Sequence, residues 1–226
     1  MFGTIARGTN HLFGKILQKK KIFVSSSLGY LHRKRDIDQN YFDYIRLSTL
    51  ELISFEINQK KLAGNVAEVG VFKGKFAKYI NNYFPDRLLY LFDTFEGFDP
   101  RDVQSENEKK FSSGDQDFSD TSVESVLKRM PFPQQCQIVK GFFPESAKNI
   151  VDKFVLVSLD ADLYEPIYNG LEFFYPKLVS GGYILIHDFN NDAYPGSRRA
   201  VEEFCKIYNV NYLPISDLGG SAVILK

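Results

Sequence analysis

Five short apolar runs recur along this chain, at residues 65–69, 87–92, 137–140, 154–159 and 182–186, with sequence of helical character between most of them. Strands alternating with helices at this spacing restrict the fold to an open sheet of parallel strands with helices packed on its faces. The run 154–159, FVLVSL, is almost continuously apolar, as a strand covered on both sides requires. Two more strands are expected at 211–215 and 222–225 with no helix between them. The connection 216–221 is too short for a parallel crossover, so the seventh strand should run antiparallel to the sixth. The expected fold is therefore α/β, a doubly wound, Rossmann-like seven-stranded sheet with the last strand antiparallel.

The intervening sequence predicts helices over 38–59, 73–83, 120–130, 144–150, 166–177 and 197–208. In the first of these Phe42, Ile45, Leu52 and Ile53 share a face. In the last, Ala200, Val201, Phe204, Cys205 and Tyr208 do. Asp120 or Thr121 would cap the third. Residues 94–119 lack periodicity, and 99–117 reads as a long acidic loop, a lid or a disordered segment. Residues 1–37 contain Gly3, Gly8, Gly14 and Gly29 and no sustained period, which suggests an arm or lid with short helical pieces. The expected division is an arm over 1–37 and one domain over 38–226, a reasonable partition for 226 residues.

Charge separates these two regions. Lys plus Arg and Asp plus Glu are both 28, so the formal net charge is zero. Residues 1–37 hold eight basic side chains and one acid, Asp36, giving 8 − 1 = +7 and leaving −7 for the rest. A balanced chain argues against a nucleic-acid binder, which usually carries a net basic field. No apolar stretch is long enough to cross a membrane, and the lysines of the arm are misplaced for a secretory signal. Cys136 and Cys205 lie far apart, which fits two unpaired thiols in a reducing cytoplasm.

The strand ends carry the chemistry. Glu68-Val69-Gly70-Val71-Phe72-Lys73-Gly74 closes the first strand and opens the first helix. In open α/β sheets a ligand sits beyond the carboxyl ends of the strands. Turns that hold a pyrophosphate favour glycine and few acids. A carboxylate at Glu68 suits instead a ligand bearing an ammonium or sulfonium. A second acid, Asp93, follows the second strand, where it can accept hydrogen bonds from ribose hydroxyls. The pair fits S-adenosylmethionine better than NAD or ATP.

Asp160-Ala161-Asp162 follows the fourth strand and His187-Asp188 the fifth. Neighbouring strands lie ~4.8 Å apart, so these side chains can converge on one ion. Oxygen-rich sets suit Mg²⁺ or Mn²⁺, and one imidazole does not exclude them. Like charges crowded at one edge repel unless something positive sits between them. On that premise, neutralising Asp160 or Asp188 should leave the fold intact. Alternatively the two aspartates cap helices and His187 satisfies a hydrogen bond in the core.

Together the blocks Val66-Ala67-Glu68-Val69-Gly70-Val71, Leu91-Phe92-Asp93-Thr94-Phe95-Glu96-Gly97, Phe118-Ser119-Asp120-Thr121, Leu159-Asp160-Ala161-Asp162-Leu163-Tyr164, Tyr175-Pro176-Lys177-Leu178 and Gly181-Gly182-Tyr183 resemble the macrocin O-methyltransferase family. The resemblance implies a class I S-adenosylmethionine-dependent methyltransferase that methylates a sugar hydroxyl with Mg²⁺ bound. It implies cofactor contacts at Glu68, Gly70, Val71, Gly74, Asp93, Thr94, Phe95, Gly141, Phe142 and Asp160. It also implies metal ligation by Asp160 and Asp188. His187 departs from the pattern, which has two consecutive acids there, so ligand, general base and orienting residue all stay open for it. If it is a ligand, Asp162 or Asp192 must take the proton. Tyr164 either lines the acceptor site or packs beneath its helix. The acceptor is expected to be a glycan or a small molecule, with a catechol-like diol as the alternative within enzymes and a non-catalytic nucleotide-binding relative outside them. The basic arm suits a phosphate-bearing acceptor, an anionic membrane surface or a solvated tail, and a homo-oligomer is compatible with all of this.

Overall fold

The computed structural model describes residues 2–19 and 43–226. The chain divides into two compact units, Met1–Asp36 and Ile37–Lys226. In the first, helix α1 spans Phe2–Lys19 without interruption. One helix therefore stands where short pieces were expected. The boundary at 37/38 and Phe42 lie outside the described residues.

The second unit begins with α2 (Tyr44–Gln59), capped by Asp43, whose carboxylate accepts the Arg46 N–H. Then come β1 (Asn65–Val69), α3 (Ala77–Tyr83), β2 (Leu89–Asp93), α4 (Pro100–Glu108), α5 (Val123–Arg129) and β3 (Cys136–Lys140). They are followed by β4 (Phe154–Leu159), α6 (Tyr164–Phe174), β5 (Leu178–Ile186), α7 (Pro195–Tyr208), β6 (Tyr212–Pro214) and β7 (Ala222–Leu225). The seven strands form one sheet in the order β3-β2-β1-β4-β5-β7-β6. β7 is antiparallel to both β5 and β6. The strand order reverses between β1 and β4, which opens a crevice at their carboxyl ends.

Side chains alternate across the sheet and feed two cores. Ala67, Val69, Phe92, Leu159 and Ile186 pack with α6 and α7 through Ile167, Leu171, Phe174 and Phe204. Val66, Leu89, Leu91, Leu156 and Leu185 pack with α2, α3 and α5 through Leu50, Ile57, Ile80 and Val126. This two-sided burial is what a doubly wound sheet requires.

Several local expectations fail: Ser122, not Asp120 or Thr121, caps α5, and 144–150 holds only a 3-10 turn at Glu145–Ala147; three more fail for identifiable reasons. On α2 the buried face is Arg46, Leu47, Leu50, Ile53 and Ile57, while Ile45 is exposed. The helix has apolar residues all round, so period alone does not choose a side. α3 starts at Ala77 instead of 73, because residues 70–74 form a turn held from β2. The acidic stretch 99–117 contains α4, with Asp99 as N-cap and Pro100 in the first turn. Its buried Glu106 accepts the backbone N–H of Tyr164. Leu163 offers α6 no side-chain cap, and the carboxylate from α4 supplies one.

Candidate active site

A cavity of about 390 Å³ opens at the carboxyl ends of β1, β2, β4 and β5. Its size is that of a pocket for a drug-sized ligand. At the end of β1, Asp160 donates its N–H to the Val69 carbonyl on the β4 side, and Gly70 donates its own to the Phe92 carbonyl on the β2 side. Gly70 has φ +82°, and a Cβ there would stand 2.1 Å from the Asp160 carbonyl oxygen. A side chain is thus excluded by the neighbouring strand. Gly74 (φ +68°) faces Val126 and Met130 of the α5 region and does not line the cavity.

Glu68 is 1% exposed and lines the cavity, and its Oε2 has no hydrogen-bond partner. Burial, then the nearby Asp160 and Asp93, raises its carboxyl well above the ordinary range, with Arg46 opposing. Asp93 is placed differently. Its Oδ2 accepts the N–H groups of Val71 (2.7 Å) and Phe72 (2.8 Å), and its Oδ1 accepts that of Phe95 (2.6 Å). A carboxylate offers about four lone-pair sites, so roughly one remains for a ligand hydroxyl. Val71, Thr94, Gly141 and Phe142 also line the cavity, whereas Phe95 is buried behind it. The Arg101 guanidinium lies 3.5 Å from the centre of the Phe142 ring.

At the other end, β4 and β5 run in register to Leu159 and Ile186, so Asp160 and His187 emerge side by side. His187 Nδ1 lies 3.0 Å from Asp160 Oδ1 and 2.7 Å from Asp188 Oδ2. Its other nitrogen, Nε2, is packed against Gly219, where a Cβ would come within 2.5 Å. Burial lowers the imidazole, but Asp160 and Asp188 outweigh it and push the ring up to about 10. Asp160 receives a second cation, with Arg46 Nη2 at 2.8 Å. Burial raises its carboxyl, yet Arg46 and His187 hold it well below the ordinary range. Asp162, two residues away, is raised well above that range by burial and by Asp160 and Asp188. Asp162 and Asp188 both adopt left-handed backbone, with φ 60° and 56°. Such strain in a non-glycine residue concentrates at functional sites.

Arg46 is the residue that sequence reasoning missed. It answers the premise about crowded charge, because Arg46 and His187 already compensate Asp160. Neutralising Asp160 would take an ion pair from Arg46 and leave His187 only Asp188, so the expected tolerance of Asp160→Asn gives way to an expected cost. The ligand atoms of Asp160, His187 and Asp188 lie within 4.8 Å of one another, as do those of Asp43, His187 and Asp217. In the second group Asp43 is spent on Arg46 and Leu218, and Asp217 on Ser221. The first group is engaged as well, Asp160 by Arg46 and His187 and Asp188 by His187 and Asn191, but of the two it alone lies wholly on the cavity wall, and three carboxylate or imidazole ligands fit a divalent ion.

Two other sequence candidates fall outside the cavity. Tyr164 is buried against Phe111 and Tyr168, and its hydroxyl donates to Glu203. Asp192 is exposed and does not line the cavity. Asp102 of α4, unremarked in the acidic stretch, does line it. Burial, and then Asp99 and Glu165, push its carboxyl up to about 7. Cys136 and Cys205 are both free. Among the described residues no helix is long and apolar enough to cross a membrane.

Comparison with known proteins gives these features a family. The profile of the macrocin-O-methyltransferase family (TylF) matches residues 37–226. A relative from Streptomyces olivaceus, 8-demethyl-8-(2,3-dimethoxy-alpha-L-rhamnosyl)-tetracenomycin-C 4'-O-methyltransferase, is 26% identical over 190 residues, covering 79% of this chain and 71% of that one. Mycinamicin III 3''-O-methyltransferase from Micromonospora griseorubida is 25% identical over 173 residues, covering 70% and 67%. Among solved structures, the O-methyltransferase NovP superposes with a TM-score of 0.70 at 20% identity, over 81% of this chain and 80% of that one.

Proposed function

This chain belongs to the macrocin O-methyltransferase family and is an O-methyltransferase that uses S-adenosylmethionine, and we propose that its acceptor is a sugar hydroxyl and that it works with a divalent cation. The observation that carries the reading is the polarity of the cavity, which holds a buried carboxylate with one unpartnered oxygen, Glu68 Oε2, together with a carboxylate–imidazole cluster. The relative from Streptomyces olivaceus is named for 4'-O-methylation of a rhamnosyl-bearing tetracenomycin, which supports the acceptor class.

In this reading Glu68 Oε2 receives the ammonium of the cofactor, the one charge that turns its desolvation cost into an attraction. Arg46, a five-donor group that also lines the cavity, would meet the cofactor's carboxylate. Asp93 keeps one acceptor site for the ribose, and Phe142, backed by Arg101, presents a ring to the adenine. Asp160, His187 and Asp188 would hold the cation. A bound divalent ion supplies stabilisation of negative charge on the acceptor oxygen. His187 serves as ligand and not as base, because Nδ1 faces the carboxylates and Nε2 faces Gly219. Asp162 would then be the proton acceptor, being the remaining cavity carboxyl beside that cluster, where a bound cation would offset the Asp160 and Asp188 charges that raise its proton affinity. The cavity walls hold donor and acceptor together, and such orientation can contribute ~7–11 kcal/mol.

The test is methyl transfer from labelled S-adenosylmethionine to a panel of nucleotide-linked and glycosidic sugars, with catechol as a control acceptor, before and after EDTA. Transfer to a sugar, lost in EDTA and restored by Mg²⁺ or Mn²⁺, is expected. Transfer to catechol alone would overturn the acceptor class, and full activity in EDTA would overturn the cation.

A further inference from the structure

Helix α1 leaves its apolar face in water. Ile5, Leu12, Phe13 and Ile16 are 59%, 76%, 53% and 61% exposed. At 3.6 residues per turn, Ile5, Leu12 and Ile16 fall within about 40° of one another, and Phe13 flanks them. A globular helix normally buries such a stripe. The polar side is as distinctive. No acid occurs before Asp36, while Arg7, Lys15, Lys19, Lys20 and Lys21 lie in or directly after the helix. His11 and Lys19 are exposed, and Lys19 sits at the rim of the apolar stripe. A lysine there can lay its stem along an apolar boundary and raise its ammonium to a layer of phosphates.

We propose that α1 is an interfacial helix that lies in the surface of an anionic phospholipid membrane, with Ile5, Leu12, Phe13 and Ile16 seated at the acyl boundary. Charge complementarity decides the occupant. A second copy of α1 would set basic against basic with no acid to pair, and an RNA would satisfy the charge while leaving four bulky apolar groups in water. An anionic bilayer takes both faces at once. At 18 residues and with a polar side, the helix lies in the surface and does not span it.

The experiment is sedimentation of the full chain with vesicles of phosphatidylcholine, with and without phosphatidylglycerol. Binding is expected to the mixed vesicles, at least about tenfold above neutral ones, and to weaken at high salt. Lys19→Glu should cut vesicle affinity roughly fivefold or more. Leu12→Glu/Ile16→Glu should abolish it while calorimetric binding of S-adenosylmethionine stays as in the parent, which shows the variant folded. No sedimentation with mixed vesicles, equal sedimentation with neutral ones, or sedimentation unaffected by Leu12→Glu/Ile16→Glu would overturn the proposal. So would a dimer in sedimentation velocity that the double substitution dissociates, or RNA binding without vesicle binding.

Discussion

The two ends of the cavity neutralise their carboxylates by different means. At the β1–β2 end, Asp93 is satisfied by three backbone N–H groups that the fold fixes in place. At the β4–β5 end, Asp160 is satisfied by Arg46 and His187, side chains that can exchange partners. Backbone donors make a scaffold, because they leave only if the strand moves. Side-chain cations make a site that can be recharged, because a metal ion can displace the proton from an imidazole. Glu68, between the two, has neither kind of partner for Oε2 and is the group most in need of a ligand.

The contrast breaks most visibly at Asp160. Asp160→Asn should lower methyl transfer on the order of 10³-fold, the scale of losing a preorganised charge. Because Arg46 loses its buried ion pair and His187 keeps only Asp188, the melting temperature should fall as well. A stable, fully active Asp160→Asn enzyme would show that the β4–β5 end is merely structural.

Next in size is the seam joining the ends. Gly70→Ala should destabilise by about 3 kcal/mol or more, through strain at positive φ and a clash with backbone. Gly74→Ala should cost less, since its nearest neighbours are the flexible Met130 methyl and Val126. Denaturant midpoints measured at constant slope would separate them, and equal losses would contradict the packing argument.

Glu68→Gln sharpens the comparison in the opposite direction. Removing the charge of a buried acid with one unpartnered oxygen should raise the melting temperature of the cofactor-free protein at neutral pH. A carboxyl whose folded affinity for protons is raised loses stability as pH climbs past its ordinary value, and glutamine escapes that loss. The same change should weaken S-adenosylmethionine roughly 10- to 100-fold in calorimetry, as for a lost charge-assisted contact. Unchanged affinity would remove Glu68 from the cofactor site.

The smallest effect is a pH slope. His187 is raised from 6.5 to about 10, so its contribution is fully present below pH 6.5 and is lost as pH rises through 10. In EDTA the melting temperature should decline by a few degrees over that window, and His187→Gln should flatten the decline. An identical slope in both proteins would mean the imidazole is not held as a cation.

How much of this the sequence disclosed follows from where the information resides. β1, β4 and β7 announce themselves, because buried strands need largely apolar runs, and Gly70 and Asp160 mark the ends of the first two. The antiparallel β7 follows from the length of one connection. Arg46 was illegible: α2 has apolar residues on every side, and only the packed sheet selects the face that carries it. α4 was illegible for the converse reason. It is polar throughout, and its place depends on Glu106 reaching the first turn of another helix. In α1 the glycines at 3, 8 and 14 obscured a period that the helix nevertheless follows. The glycines of the first turn were legible as positions without side chains, but what excludes a Cβ at Gly70 is the Asp160 carbonyl, which sequence spacing does not reveal.

The sheet order has a consequence for biosynthesis. β7 is the latest strand in sequence, yet it lies inside the sheet, hydrogen-bonded to β5 on one side and β6 on the other. While residues 222–225 are still within the ribosome, β5 presents an open edge and β6 has no neighbour to hold it. A nascent chain must keep an unpaired parallel edge from joining other chains until the very segment that fills the gap emerges.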